Sequence, residues 1–130
     1  YSPHGILAAN IGLHKEAYSY FIKSAYLDVN DLQLNTISGL HFANFGGTWQ
    51  MVFHGFAGIS TDNGRLCIKP NLPAQWNRLT LHCCFLGHIV KIDIDKFCIA
   101  VHKETGESPL TVCVAGQDYL VEDEPLTIKY

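Results

Sequence analysis

Charged residues are scarce in this sequence: Asp, Glu, Lys and Arg make up 16% of the 130 residues, against 48% apolar residues. The nine basic residues are scattered, so there is no basic stripe that would bind nucleic acid and no polybasic patch for anionic lipid. No apolar run approaches the roughly 18 residues that a membrane-spanning helix needs. We therefore expect either an unusually large core or a surface that packs against something else.

An initiating methionine and a signal-peptide pattern are also missing, since the sequence opens with Tyr1. We expect from this a chain that begins inside a longer protein. The net charge of −3 is too small to indicate a strongly acidic or basic partner.

The five cysteines show no Cys-x-x-Cys spacing. Cys83 and Cys84 are adjacent and would point to opposite faces of a strand, so they are poorly placed to pair. Reduced thiols in a cytoplasmic protein are the simplest interpretation. The histidines and cysteines have no zinc-finger spacing, and we expect no structural metal.

The first part of the chain has helical periodicity. A helix is predicted from Ser2-Pro3, where serine can cap and proline loses no bond, to Gly12. An amphipathic helix is predicted over residues 14–27, and the short connection makes the two helices antiparallel neighbours.

A third helix is predicted to end near Gly58. Its apolar residues recur at spacings of three and four, and we expect it to be buried nearly all round, with Trp49 in the core. Those residues are Phe45, Trp49, Val52, Phe53 and Phe56. Gly39, His41 and Asn44 open this helix, where free amide groups and the helix dipole favour an anion. The alternative interpretation is that His41 and Asn44 only cap the helix.

The rest of the chain alternates apolar and polar residues in short runs separated by turns, of which Asn63-Gly64 and Leu86-Gly87 are the clearest. This pattern predicts an antiparallel β-sandwich, and the fold class is α+β with the change of period near residues 58–63. His54 is expected to be a hydrogen-bonded core residue. His82, His88 and His102 are expected to face solvent.

Four motifs resemble the C-terminal portion of glycoside hydrolase family 65, which includes maltose, kojibiose, nigerose and trehalose phosphorylases and some hydrolases. The motifs are Ser38-Gly39-Leu40-His41, Gly46-Gly47-Thr48-Trp49, Gly55-Phe56-Ala57-Gly58 and Leu72-Pro73-x-x-Trp76. The resemblance implies that residues 1–60 hold about three final helices of a catalytic (α/α)6 barrel. It implies that residues 61–130 form a small C-terminal β-sandwich.

The resemblance further implies the C-terminal fragment of an inverting α-glucoside phosphorylase, which converts a disaccharide and phosphate into glucose 1-phosphate and glucose. The family's general-acid glutamate belongs to a motif that is absent here, so we expect no catalytic residue and an inactive isolated chain. Phosphate takes the place of the water-activating base of an inverting hydrolase. His41 matches the family's phosphate-holding position, and we expect Ser38, Gly39 and Asn44 to complete the phosphate site. Inorganic phosphate is the co-substrate, and no cofactor is expected.

Two alternatives stay open. Phosphorylases of the family usually carry a small hydroxyl residue at the position of Asn44, and this departure keeps a family 65 hydrolase in consideration. A non-catalytic β-sandwich that binds carbohydrate or braces a barrel would instead expose aromatic residues on a sheet face. The expected partners are an α-linked glucose disaccharide, phosphate, the remainder of the barrel and a second copy in a homo-oligomer; neither nucleic acid nor membrane is expected.

Overall fold

The computed structural model describes residues 1–129 and places three helices before eight strands. The helices are α1 (Ser2–Asn10), α2 (His14–Ala25) and α3 (Phe42–Gln50), with a short 3-10 turn at Thr36–Ser38. α3 continues directly into a π-helical turn, Met51–Phe56. The two predicted N-terminal helices are confirmed, and Gly12 follows α1 with a φ of +83°.

The strands form two four-stranded sheets. One sheet has the order β1-β2-β6-β7 and the other has the order β3-β4-β5-β8. The strands are β1 (Ile59–Asp62), β2 (Arg65–Ile68), β3 (Arg78–Phe85), β4 (His88–Asp95), β5 (Cys98–Lys103), β6 (Leu110–Val114), β7 (Gln117–Val121) and β8 (Leu126–Lys129). The antiparallel prediction holds for every pair except β2 and β6, which run parallel with Cys67 opposite Cys113.

The two predicted turns are confirmed as two-residue hairpin connections. Asn63-Gly64 joins β1 to β2, and Leu86-Gly87 joins β3 to β4. All four residues have positive φ, the conformation that a tight connection of this kind requires. The alternation of β4 then places Val90, Ile92 and Ile94 on the buried face.

The core of the sandwich lies between the inner faces of the two sheets and consists of aliphatic side chains. A smaller cluster joins the helices to the sandwich, where the Trp76 ring lies edge-on to Phe21 and Phe56 at centroid distances of 5.3 and 5.0 Å. The close packing at this junction includes the π-helical turn, which contacts both α1 and β1.

The expectation that the third helix is buried nearly all round is wrong. Phe42, Phe45 and Trp49 are 76%, 44% and 57% exposed. α1 and α2 cover one side of α3, and no described residue covers the other side. Trp49 is therefore a surface residue that stacks on Phe53, with ring centroids 4.8 Å apart.

Three smaller predictions also fail. Ser2 does not cap α1, because Tyr1 occupies the cap position and the Ser2 hydroxyl is buried 3.3 Å from that of Ser24. His54 is exposed, although its Nδ1 lies 2.8 Å from the Ile59 carbonyl oxygen. His88 is only 4% exposed, because the alternation of β4 puts it on the same face as Val90.

Candidate functional site

The loop between α2 and α3 is held by two aspartates. Asp31, with a φ of +46°, accepts hydrogen bonds on Oδ1 from the backbone N–H groups of Asn35 and Thr36, at 3.0 and 2.9 Å. The Thr36 hydroxyl donates to the same oxygen at 2.6 Å. The Thr36 hydroxyl is the main reason that the pKa of Asp31 lies below its usual value. These contacts fold the chain into the short turn that precedes His41.

Asp28 holds His41 at two points. The His41 backbone N–H donates to Asp28 Oδ2 at 2.9 Å, and His41 Nδ1 lies 2.5 Å from Oδ1. The Asp28 side chain is only 6% exposed, against 31% for the imidazole. The hydrogen bond from the His41 ring, followed by the one from its backbone, lowers the pKa of Asp28. The carboxylate is therefore ionised and can only accept, so Nδ1 carries the proton.

His41 stands immediately before α3 and makes no capping bond with its side chain. Its Nε2 has no partner among residues 1–129. An imidazole held in this way presents one nitrogen to a ligand, either as an acceptor when neutral or as a donor when protonated. The geometry therefore does not support the alternative interpretation, in which the His41 side chain caps α3.

Ser38 ends the 3-10 turn before His41, and Gly39 follows it directly. Their backbone N–H groups donate to the carbonyl oxygens of Asn35 and Thr36, each at 3.0 Å. Both residues are exposed, and the Ser38 hydroxyl has no described partner. Within the described chain, the backbone N–H groups of Leu40 and Ala43 are the ones near His41 that have no acceptor. Most backbone N–H groups at the start of α3 are therefore already hydrogen-bonded within the chain, and fewer are free to bind an anion than we expected from the sequence.

Asn44 lies in the first turn of α3, where its N–H donates to the His41 carbonyl at 2.8 Å. Its side chain belongs to another network: Nδ2 donates to the Ser24 carbonyl, and Oδ1 accepts from the Ser24 hydroxyl, both at 2.7 Å. Thr48 Oγ1 also lies 2.7 Å from Ser24 Oγ. One N–H of the Asn44 amide stays available for another acceptor.

Asn44 also lines an open cleft of about 450 Å³ between the start of α1 and α3, whose other walls include Tyr1, Gly46 and Gln50. The structure therefore brings His41 and Asn44 into one helical turn but into different hydrogen-bond networks. No group of three or more His, Cys, Asp or Glu residues able to hold a metal ion occurs among residues 1–129.

Two residues of this region were missed by sequence reasoning. Asp28 is 13 residues before His41, and Ser24 is 20 residues before Asn44. Ser24 lies in the last turn of α2, and Asp28 lies three residues after that helix ends. The return of the chain brings both beside the start of α3. The aspartate near a helix end was visible in the sequence, but its partner depends on how the loop folds back.

Comparisons with known proteins agree with the motifs. A family model described as "Glycosyl hydrolase family 65, C-terminal domain" matches residues 59–121. An α,α-trehalose phosphorylase of Geobacillus stearothermophilus is 38% identical over 126 residues, which are 96% of this chain and 16% of that protein. A kojibiose phosphorylase of Thermoanaerobacter brockii is 37% identical over 93% of this chain and 16% of its own length.

A solved structure, a putative kojibiose phosphorylase from the human microbiome, superposes with a TM-score of 0.90 at 31% identity. The superposition covers 99% of this chain and 17% of that protein. The chain thus spans about a sixth of the length of the relatives that it matches. The helices within residues 1–129 lack the length and hydrophobicity of a bilayer-spanning segment.

Proposed function

The chain belongs to glycoside hydrolase family 65 and corresponds to the C-terminal domain of that family's proteins. We propose that it serves as the C-terminal part of an inverting α-glucoside phosphorylase. In this reaction an α-linked glucose disaccharide and inorganic phosphate give glucose 1-phosphate and glucose. We propose that His41 holds the phosphate, with Ser38, Gly39 and Asn44 beside it. The relatives named above are phosphorylases by name, and the chain aligns with them over nearly its whole length.

The observation that carries the proposal is the state of His41. Its imidazole is fixed by Asp28 through Nδ1, and Nε2 has no partner among the described residues. The Ser38 hydroxyl and the Ala43 N–H lie three residues before it and two after it, and both can donate to an oxyanion. Donors near a partly exposed imidazole suit a tetrahedral anion.

The remainder of an (α/α)6 barrel is the partner that we propose for the helices. Large apolar side chains are exposed along the helices and the α2–α3 loop, more than a stable monomer usually shows. They include Leu7, Ile11, Leu13, Val29, Leu34, Ile37, Leu40, Phe42, Phe45 and Trp49. Helices of a barrel pack on both neighbours, so such a surface would be covered in the parent protein.

A carbohydrate-binding sandwich is less well supported. Within residues 1–129 the exposed large aromatics lie in the helical part, apart from Phe97 between β4 and β5. In this described part of the chain, no exposed Phe, Tyr or Trp stands on a strand face, where a sugar would stack. The cytoplasmic location and the homo-oligomer stay predictions.

The test uses the full-length protein with and without His41→Ala. We expect phosphate-dependent release of glucose 1-phosphate to fall roughly ten- to a hundredfold, the loss of one charge-assisted hydrogen bond. The matched control is His82→Ala, which removes another histidine that lies beside a carboxylate, that of Glu104 at 3.3 Å. Unchanged phosphate dependence with a lower melting temperature would return His41 to a structural role. Glucose release by the unaltered enzyme without phosphate would favour the hydrolase alternative.

A further inference from the structure

We propose that Asp28 is a positioning residue for phosphate, because it sets which nitrogen of His41 meets the ligand and in which state. This inference rests on the proposed function of His41. Asp28 lies too deep to meet phosphate itself, with 6% of its side chain exposed, and a carboxylate would repel the anion. Asp28 therefore acts on the phosphate only through the imidazole of His41.

The first step is the two-point attachment. One carboxylate oxygen accepts the His41 backbone N–H at 2.9 Å, and the other lies 2.5 Å from Nδ1. The backbone bond fixes where the residue stands, and the ring bond fixes how the imidazole is turned. Together they aim Nε2 away from Asp28.

The second step is the protonation pattern. An ionised carboxylate has no proton to give, so the shared proton belongs to Nδ1. Nε2 of the neutral ring is then an acceptor, which suits a P–OH group of phosphate. Once Nε2 is protonated, it donates to a P–O⁻ group, and Asp28 balances the positive charge of the ring. Without the carboxylate, neither the tautomer nor the ring orientation is specified.

The third step separates positioning from simple support of the loop. Asp31 supports the same loop through Asn35 and Thr36, with three hydrogen bonds, but makes none to His41. Asp31→Asn is therefore a matched control for Asp28→Asn, since both replace a loop-holding carboxylate by an amide of the same shape.

Asp28→Asn is informative because an amide can present N–H where the carboxylate presented oxygen. Asn Oδ1 can still accept the His41 backbone N–H, while its NH₂ faces Nδ1 and donates to it. The neutral imidazole would then carry its proton on Nε2, which is the opposite tautomer.

The experiment is steady-state kinetics on the full-length enzyme, with phosphate and disaccharide varied separately. We expect Asp28→Asn to raise the KM for phosphate roughly tenfold, as loss of one charge-assisted contact would, and to leave the KM for disaccharide within about twofold. Asp28→Glu keeps the acceptor and should recover part of the phosphate KM. Asp31→Asn should lower the melting temperature without moving the phosphate KM.

The outcomes separate this inference from the proposed function. If His41→Ala raises the phosphate KM and Asp28→Asn does not, His41 binds phosphate without help from Asp28, and the inference is overturned. If neither variant moves the phosphate KM, the proposed function of His41 itself fails. Equal rises in Asp28→Asn and Asp31→Asn would show general loop support, which also overturns the inference.

Discussion

Ser24 and Asn44 bind each other twice: the Ser24 hydroxyl donates to Asn44 Oδ1, and Asn44 Nδ2 donates to the Ser24 carbonyl oxygen, both at 2.7 Å. Ser24 is 1% exposed and stands near the end of α2, while Asn44 stands in the first turn of α3. This pair fixes the start of α3 against α2, and with it the residue that precedes α3, His41.

Asn44→Ala is expected to lower the free energy of unfolding by roughly 1–3 kcal/mol, because the buried Ser24 hydroxyl and carbonyl each lose a partner. Gln50→Ala, on an exposed position of the same helix, should change it by less than about 0.5 kcal/mol. Urea unfolding followed by far-UV circular dichroism measures both. Equal, small effects would mean that water replaces Asn44 without cost.

The first two helices and most of the strands could be predicted because their signals are local. Asn63-Gly64 defines its hairpin by conformational preference, and Gly87 marks the second one between two alternating runs. The alternation of residues 90–94 defines a strand with one buried face. His88 could have been assigned to that face by extending the same alternation by two residues. β1 was missed because Ile59–Asp62 is short and offers a single buried side chain.

The burial of α3 and the contacts of the candidate site could not be predicted, because both depend on neighbours. Helical periodicity shows that Trp49 and Phe53 share a face, but it does not say whether another helix covers that face. Likewise, the sequence motif around His41 does not contain Asp28. Only the return of the chain after α2 brings that carboxylate to Nδ1.

Gly58→Ala should be strongly destabilising, since a Cβ there would overlap the carbonyl oxygen of Lys69 and the φ of +64° is unfavourable for alanine. We expect a loss of roughly 2–5 kcal/mol, from backbone strain plus overpacking. Gly64→Ala is the matched control, because its φ is +75° and nothing lies within 4 Å of the added Cβ.

Gly64→Ala should lower the free energy of unfolding by only about 1–2 kcal/mol, because it strains the backbone without any steric overlap. Thermal unfolding of the two variants and the unaltered chain gives the comparison. If the two substitutions cost the same, the junction between the helices and the sandwich is looser than the close approach of Gly58 to Lys69 indicates.

Acid should weaken the α2–α3 loop through Asp31. The Thr36 hydroxyl and then the Thr36 backbone N–H lower the pKa of Asp31 in the folded chain. A carboxyl whose folded pKa is below its unfolded value of about 3.9 contributes stability above that pH, and this contribution is lost as the pH falls through the folded pKa.

We therefore expect the melting temperature of the unaltered chain to fall more between pH 5 and pH 2 than that of Asp31→Asn, whose amide does not titrate. Thr36→Val, which removes the main cause of the shift, should give an intermediate slope. Parallel curves for all three chains would show that Asp31 has the same pKa folded and unfolded.

The isolated chain should release no glucose 1-phosphate from maltose, kojibiose or trehalose in the presence of phosphate. His41 and its neighbours can bind an anion, but no carboxyl group in the described region is placed beside Nε2 to protonate a leaving sugar. The assay is a coupled measurement of glucose 1-phosphate, with the full-length protein as positive control. Phosphate-dependent turnover by the purified chain alone would contradict the assignment of the acid to another part of the protein.

The exposed apolar residues of the helices should make the isolated chain self-associate and bind a hydrophobic dye. Phe42 and Trp49 are 76% and 57% exposed on one helix, on the face that we propose a barrel neighbour covers in the full-length protein. Phe42→Gln combined with Trp49→Gln should reduce both the apparent mass in light scattering and the dye fluorescence.

Phe97→Gln is the control for this last prediction, because Phe97 is about as exposed as Phe42, at 77% against 76%, but lies between β4 and β5 of the sandwich. Compared with Phe42→Gln alone, it removes a similar apolar area, but from the sandwich rather than from the helical face that we propose a barrel covers, so we expect little change in mass or dye binding. An equal effect of Phe97→Gln would mean that association follows total apolar exposure rather than the helical face. A monodisperse monomer without dye binding would mean that these helices are stable uncovered, and the case for a missing barrel partner would lose its physical basis.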